Sequence, residues 1–237
     1  MRYFKTAKGE YGEGDQFLGV KMPAIRRLTK TGSDLSLENL RVLVRSALHE
    51  ERMLGLLCMV RKFQRVRGDA TLQKQIYTLY MAERNHINNW DLIDLSAPHI
   101  VGGWLFERPR AVLLKLAKSK SVWDRRISLL SCFYFIKEDD FSTAFEIAGL
   151  VLNDPHDLIH KAAGWMLREI GNRSMEAEVV FLEKHAGVMP RTMLRYAVEK
   201  FPEKERRRFM EQERVLSPST IRKGGDQRRI TTKSGRR

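Results

Sequence analysis

The segment Asn89-Trp90-Asp91-Leu92-Ile93-Asp94 places a tryptophan and a carboxylate four residues apart in a chain whose formal net charge is +14. Positions i and i+4 share one face of a helix, so Trp90 and Asp94 are expected to point into the same space. A carboxylate beside an aromatic face is an unusual surface to offer a polyanion. It suits a partner that is anionic overall but carries a local positive charge. A carboxylate can steady a developing cation, and an indole face attracts one. The plainer alternative is a core tryptophan beside an aspartate paired with one of the 43 basic side chains.

Two further tryptophans have a cation one helical turn away: Trp123 with Arg126, and Trp165 with Arg168. Trp104 has no such partner in this reading and is expected in the core. His156 and His160 have metal-ligand spacing, but no third ligand lies nearby, so both are expected to be structural or surface residues. The glycines of Tyr11-Gly-Glu-Gly-Asp lack the pattern and the preceding strand of a phosphate loop and read as a plain turn. The charged run from Glu203 to Arg208 reads as a solvated helix face.

Helices must position these groups, because almost every apolar run has helical spacing and strand-like alternation is hard to find. The spacing predicts helices over 36–48, 50–67, 70–82, 88–95, 109–118, 122–137, 141–152, 157–170, 175–185, 189–200 and 202–212. Ser36 and Ser121 are expected as N-caps, with Pro109 and Pro202 in first turns. Gly68 and Gly171 are expected to end helices in a left-handed conformation. Basic residues recur before small or apolar helical runs at Arg52, Arg126, Lys161 and Arg195, the last three 35 and 34 residues apart. That is a helix-pair period, as in HEAT-like repeats, and it predicts an α-solenoid with basic rungs along its inner helices. Asp91 and Asp94 fall where that ladder should be basic.

Forty-three basic against 29 acidic residues argue for an anionic partner. From Gln212 to Arg237 there are 8 basic and 2 acidic residues, so +6 belongs to that tail and +8 to the body. The reading is therefore one solenoid domain over 1–211 and a basic, disordered tail over 212–237 that raises salt-sensitive affinity for nucleic acid. Cys58 and Cys132 are isolated in apolar runs, which suits a reducing compartment. No apolar stretch approaches the ~18 residues of a membrane span, and the first residues lack a signal region. A soluble, cytoplasmic monomer is expected.

Five segments carry a family resemblance: Phe17-Leu-Gly-Val-Lys-Met-Pro-Ala-Ile-Arg26, Asn89 to Asp94, Ser121-Val-Trp-Asp-Arg-Arg126, Ile159-His-Lys-Ala-Ala-Gly-Trp-Met-Leu-Arg-Glu169 and Met189-Pro-Arg-Thr-Met-Leu-Arg195. In this order they resemble the DNA alkylation repair glycosylases of the AlkD family. The resemblance implies an all-α, HEAT-like superhelix that holds duplex DNA in a basic groove and needs no cofactor or metal. It implies hydrolysis of the N-glycosidic bond of cationic N3- or N7-alkylated purines, 3-methyladenine and 7-methylguanine, without full flipping of the base. Trp90, Asp94, Arg126 and Trp165 match the catalytic set, with Arg126 expected to fix a phosphate beside the lesion. Arg26, Arg125, Lys161, Arg168, Arg191 and Arg195 are the expected DNA contacts. The rival expectation is a HEAT-like protein that recognises DNA without excising anything. Two departures stand out. Family members usually carry a helix before the stretch matched by Arg2-Tyr3-Phe4, where this chain begins, implying a misplaced start or an incomplete first repeat. Met22 stands where some members place a hydroxyl residue before the proline, which would remove one backbone contact.

Overall fold

The computed structural model describes residues 4–212. Within them the chain is an all-α, helical-repeat superhelix with no named strand; Gln16 and Leu48 form one isolated bridge. The inner row runs α1 (Met22–Thr31), α3 (His49–Arg65), α5 (Trp90–Asp94), α8 (Val122–Lys137), α10 (Asp157–Gly171) and α12 (Arg191–Ala197). The outer row is α2 (Leu37–Val44), α4 (Ala70–Glu83), α7 (Ala111–Ala117), α9 (Ser142–Leu150), α11 (Met175–His185) and α13 (Glu203–Met210). α10 packs between α8 and α12, while α2 lies on α3, α7 on α8 and α11 on α10. Each pair buries one face on its neighbours, which is what the repeat spacing anticipated.

Local chemistry accounts for most of the boundaries. Ser36 and Ser121 accept from the backbone N–H groups of Asn39 and Asp124, closing the first turns of α2 and α8. Gly68 sits at φ +96° after α3, as expected. Cys58 and Cys132 are buried and unpaired. The tail expected from 212 onward lies outside the described residues except for Gln212.

Three expectations change. The helix α1 was missed; it buries only Ile25 and Thr29 while Arg26, Arg27 and Lys30 face out, so its apolar stripe is too thin to read. A π-helical stretch, Pro98–Gly102, runs into the short α6 (Gly103–Leu105), between the helices expected over 88–95 and 109–118. There Gly102 meets α8 so closely that a Cβ would lie 2.4 Å from the Ser131 carbonyl oxygen. Gly171 is not a left-handed stop either: α10 continues through it, and a Cβ at that position would collide with the Glu178 carboxylate.

Gly164 makes the equivalent close approach between α10 and α12. A Cβ there would sit 2.3 Å from the Met193 carbonyl oxygen and 2.6 Å from Tyr196 Cβ. Gly164→Ala is expected to destabilise the protein by roughly 1–3 kcal/mol through overpacking. Thermal unfolding checks this, and an unchanged Tm would mean the two helices can part without cost.

Candidate active site

The short helix α5 is built to present two side chains. Asn89 caps it by accepting from the Trp90 N–H at 2.8 Å, and Leu92 and Ile93 are completely buried beneath it. Trp90 and Asp94 remain on the open side, only partly buried. Trp90 Nε1 donates to Tyr11 Oη at 3.2 Å, and Phe4 lies 5.8 Å from its ring. Across the gap, on α10, Trp165 Nε1 donates to Glu169 Oε1 at 2.8 Å. These bonds fix the orientation of both indoles.

Asp94 is gripped by Arg126 of α8. Arg126 Nε donates to Asp94 Oδ1 at 2.8 Å and Nη2 to Oδ2 at 2.7 Å, while Nη1 donates to the Leu158 carbonyl at 2.8 Å. Burial pushes the Asp94 carboxyl above its ordinary value and Asp91 adds to the lift, while the charge and hydrogen bonds of Arg126 pull the other way. The bidentate geometry is that of an ionised carboxylate. Arg126 is only 4 % exposed, and each of its three nitrogens donates to a group of the protein itself. The geometry sets it to orient Asp94, where the sequence reading has it fix a phosphate beside the lesion.

Trp90, Asp94, Arg126 and Trp165 line one cleft of about 620 Å³, together with Lys161 and Arg168. Lys161 pairs with Asp157 at 2.7 Å across one turn; Arg168 is held by Glu199, with Glu169 at 3.8 Å. Sequence reasoning missed Lys5, Tyr11, His156, Asp157, Leu158 and Tyr196, which complete the lining. Tyr11 comes from a turn 79 residues before Trp90, and no local pattern links them. His156, which has metal-ligand spacing to His160 in the sequence, caps α10 through Nδ1, while His160 bonds the Asp154 carbonyl at 2.6 Å.

The other expected DNA contacts divide. Arg26, Arg191 and Arg195 are exposed. Arg26 borders a separate groove of about 340 Å³ between α1 and α3, with Lys30 and Arg61. Arg125 is turned away from the cleft. It pairs with Asp154 at 2.5 Å and bonds the Ser119 and Lys120 carbonyls at 2.8 and 3.0 Å, where the sequence reading has it contact DNA. Arg52, the first rung of the basic ladder, is likewise buried and ion-paired with Asp15. Trp104 is half-buried rather than enclosed, and it does have a cation one turn on: the Arg108 guanidinium lies 3.6 Å above its ring.

A buried network braces α5 from behind. His49 stands between Asp15 at 3.1 Å and Asp91 at 2.9 Å, and Asn89 Nδ2 donates to Asp15 at 3.1 Å. Burial alone would lower the His49 imidazole, but the hydrogen bonds and charges of Asp15 and Asp91 outweigh it and push it up to about 9. His49 is therefore a cation between two carboxylates. It ties the turn that supplies Tyr11 to the helix that supplies Trp90 and Asp94.

The cleft thus offers an oriented carboxylate, two fixed indoles and a cationic rim, a combination able to hold a locally cationic group on a polyanion. Among curated proteins none matches the chain. A solved structure described as a predicted DNA alkylation repair enzyme from Enterococcus faecalis has the same fold. It is 14 % identical with a TM-score of 0.58, covering 79 % of this chain and 89 % of that one. The family model for DNA alkylation repair enzymes matches residues 1–201, so the chain belongs to the DNA alkylation repair enzyme family.

Proposed function

We propose that the protein is a DNA glycosylase that hydrolyses the N-glycosidic bond of N3- and N7-alkylated purines in duplex DNA. The observation that carries this reading is the Asp94 carboxylate, held by Arg126 in a cleft with two fixed indoles. Alkylation at N3 or N7 gives the purine a formal positive charge and makes it a good leaving group. As it departs, the sugar acquires oxocarbenium character, as in glycoside hydrolysis. Asp94 stabilises that charge and orients the attacking water, while Trp90 and Trp165 turn negative π-faces to the cation, each contact contributing roughly 0.5–2 kcal/mol. Arg126 keeps Asp94 ionised and aimed. Lys161, with Arg26, Arg191 and Arg195, contacts phosphates and sets the position of the duplex. Arg168 joins them by exchanging Glu199 for a phosphate.

The chemistry happens at the edge of the helix, so the lesion need not swing fully out of the stack as in base-flipping enzymes. Each role is filled by a side chain of the chain itself. Incubation with N-methylated duplex DNA, followed by chromatographic identification of the freed bases, tests the reading. Release of 3-methyladenine or 7-methylguanine is expected. Binding without release would overturn it in favour of a protein that only recognises DNA.

A further inference from the structure

We infer that His156 is a positioning residue for Asp94, acting through the first turn of α10 and Arg126. This rests on the excision reading above and adds to its machinery a residue that touches neither carboxylate nor guanidinium.

The connection is a continuous run of hydrogen bonds. His156 Nδ1 accepts from the Leu158 N–H at 3.2 Å, which makes it the side-chain cap of α10. The same Leu158 offers its carbonyl oxygen to Arg126 Nη1 at 2.8 Å. The remaining edge of that guanidinium grips Asp94 at 2.8 and 2.7 Å. One residue therefore has both its backbone groups committed, the N–H to the imidazole and the carbonyl to the arginine. Arg126 is too buried to replace Leu158 with solvent, so a shift of the first turn drags the guanidinium, and the guanidinium drags the carboxylate.

The arrangement also fixes the state of the ring. A backbone N–H can only donate, so Nδ1 must carry a lone pair and the proton sits on Nε2. Nε2 has no partner among the described residues, and the ring lines the same cleft as Asp94, Trp90 and Trp165. Burial, with help from Arg125 and His160, lowers this histidine against the opposing pull of Asp154 and Asp157. A neutral imidazole keeps an added positive charge away from a cationic lesion. It does so while holding the cap, which a protonated ring could not do.

His156→Ala and His156→Asn separate this role from others, because asparagine is itself a strong N-cap and alanine is not. In single-turnover assays, His156→Ala is expected to slow base release by about 10-fold or more, since small misplacement of a reacting group has large effects on rate. Its affinity for the duplex is expected to stay within about 2-fold, because its phosphate contacts are untouched. His156→Asn is expected to restore the rate to within about 3-fold through its cap. Unchanged release in the alanine variant would overturn the inference. So would equal loss in both variants, which would mean the imidazole itself acts on the substrate. A second readout does not need activity: carbon-13 NMR titration of Asp94. The alanine variant should raise the Asp94 pKa as Arg126 moves off, and the asparagine variant should not. If the wild-type protein frees no base, the excision reading fails, while the titration still decides whether His156 positions Asp94; an unmoved Asp94 pKa in the alanine variant overturns that.

Discussion

Asp94→Asn is expected to slow base release by about 10²–10³-fold or more, the loss typical of removing a preorganised group that stabilises transition-state charge. Affinity for the duplex should stay nearly unchanged, because the phosphate-facing cations are left in place. The amide keeps one oxygen for Arg126 and turns an NH2 toward it, so a buried guanidinium loses its counter-charge. Circular dichroism should therefore accompany the rate, and a companion variant separates chemistry from folding. Arg126→Met removes the charge that pulls the Asp94 carboxyl down and leaves the burial that lifts it. Asp94 then stays protonated to higher pH, so release in Arg126→Met is expected to recover as pH rises. In Asp94→Asn there is nothing to ionise and no recovery. Release of 7-methylguanine at the wild-type rate by Asp94→Asn would remove the carboxylate from the mechanism.

The second large effect is on stability and has the opposite sign. Glu178 of α11 is 1 % exposed, lies against Gly171 of α10 and has Oε1 without a hydrogen-bond partner among the described residues. Burial pushes its carboxyl up to about 9, with the Arg168 charge opposing. In the unfolded chain it ionises near its ordinary value, so between about pH 4.5 and 9 the folded state holds a proton that the unfolded state has lost. Stability therefore falls as pH rises through that window. Glu178→Met removes both the titration and the orphaned oxygen. At pH 7 it is expected to stabilise the fold by up to about 3 kcal/mol, or roughly 6–12 °C in Tm. It should also flatten Tm against pH across the window. A lower Tm, or an unchanged pH profile, would mean Glu178 is ionised and satisfied in the fold.

Asn89–Asp94 was legible because all its information is local: a cap, a turn and an i, i+4 pair. Long helices such as α8 and α10 were legible from their apolar content, and α8 also from its Ser121 cap. What escaped was set by distant partners. Arg125 and Arg126 are neighbours in sequence but point about 100° apart around the helix, and only the fold decides that one meets Asp154 and the other Asp94. Gly171 looked like a stop signal, yet its reason is a carboxylate seven residues on, brought back by the next helix. Tyr11 joined the cleft through a turn whose glycines had suggested nothing beyond a turn.

The clasp of Asp15, His49 and Asp91 has a consequence for how this molecule comes apart. Stacked repeats touch only their neighbours and tend to unzip from an end. Here a charged bolt passes from the N-terminal turn through α3 into α5, joining residues 34 and 42 positions apart. Fraying of the first repeats therefore cannot proceed alone: opening the turn exposes His49 and its carboxylates and releases the helix beneath Trp90. The amides of α3 and α5 should exchange with solvent together, as one cooperative block. A molecule whose N-terminal turn is still closed should accordingly have the α5 wall of its cleft in place, with few half-assembled forms between closed and open.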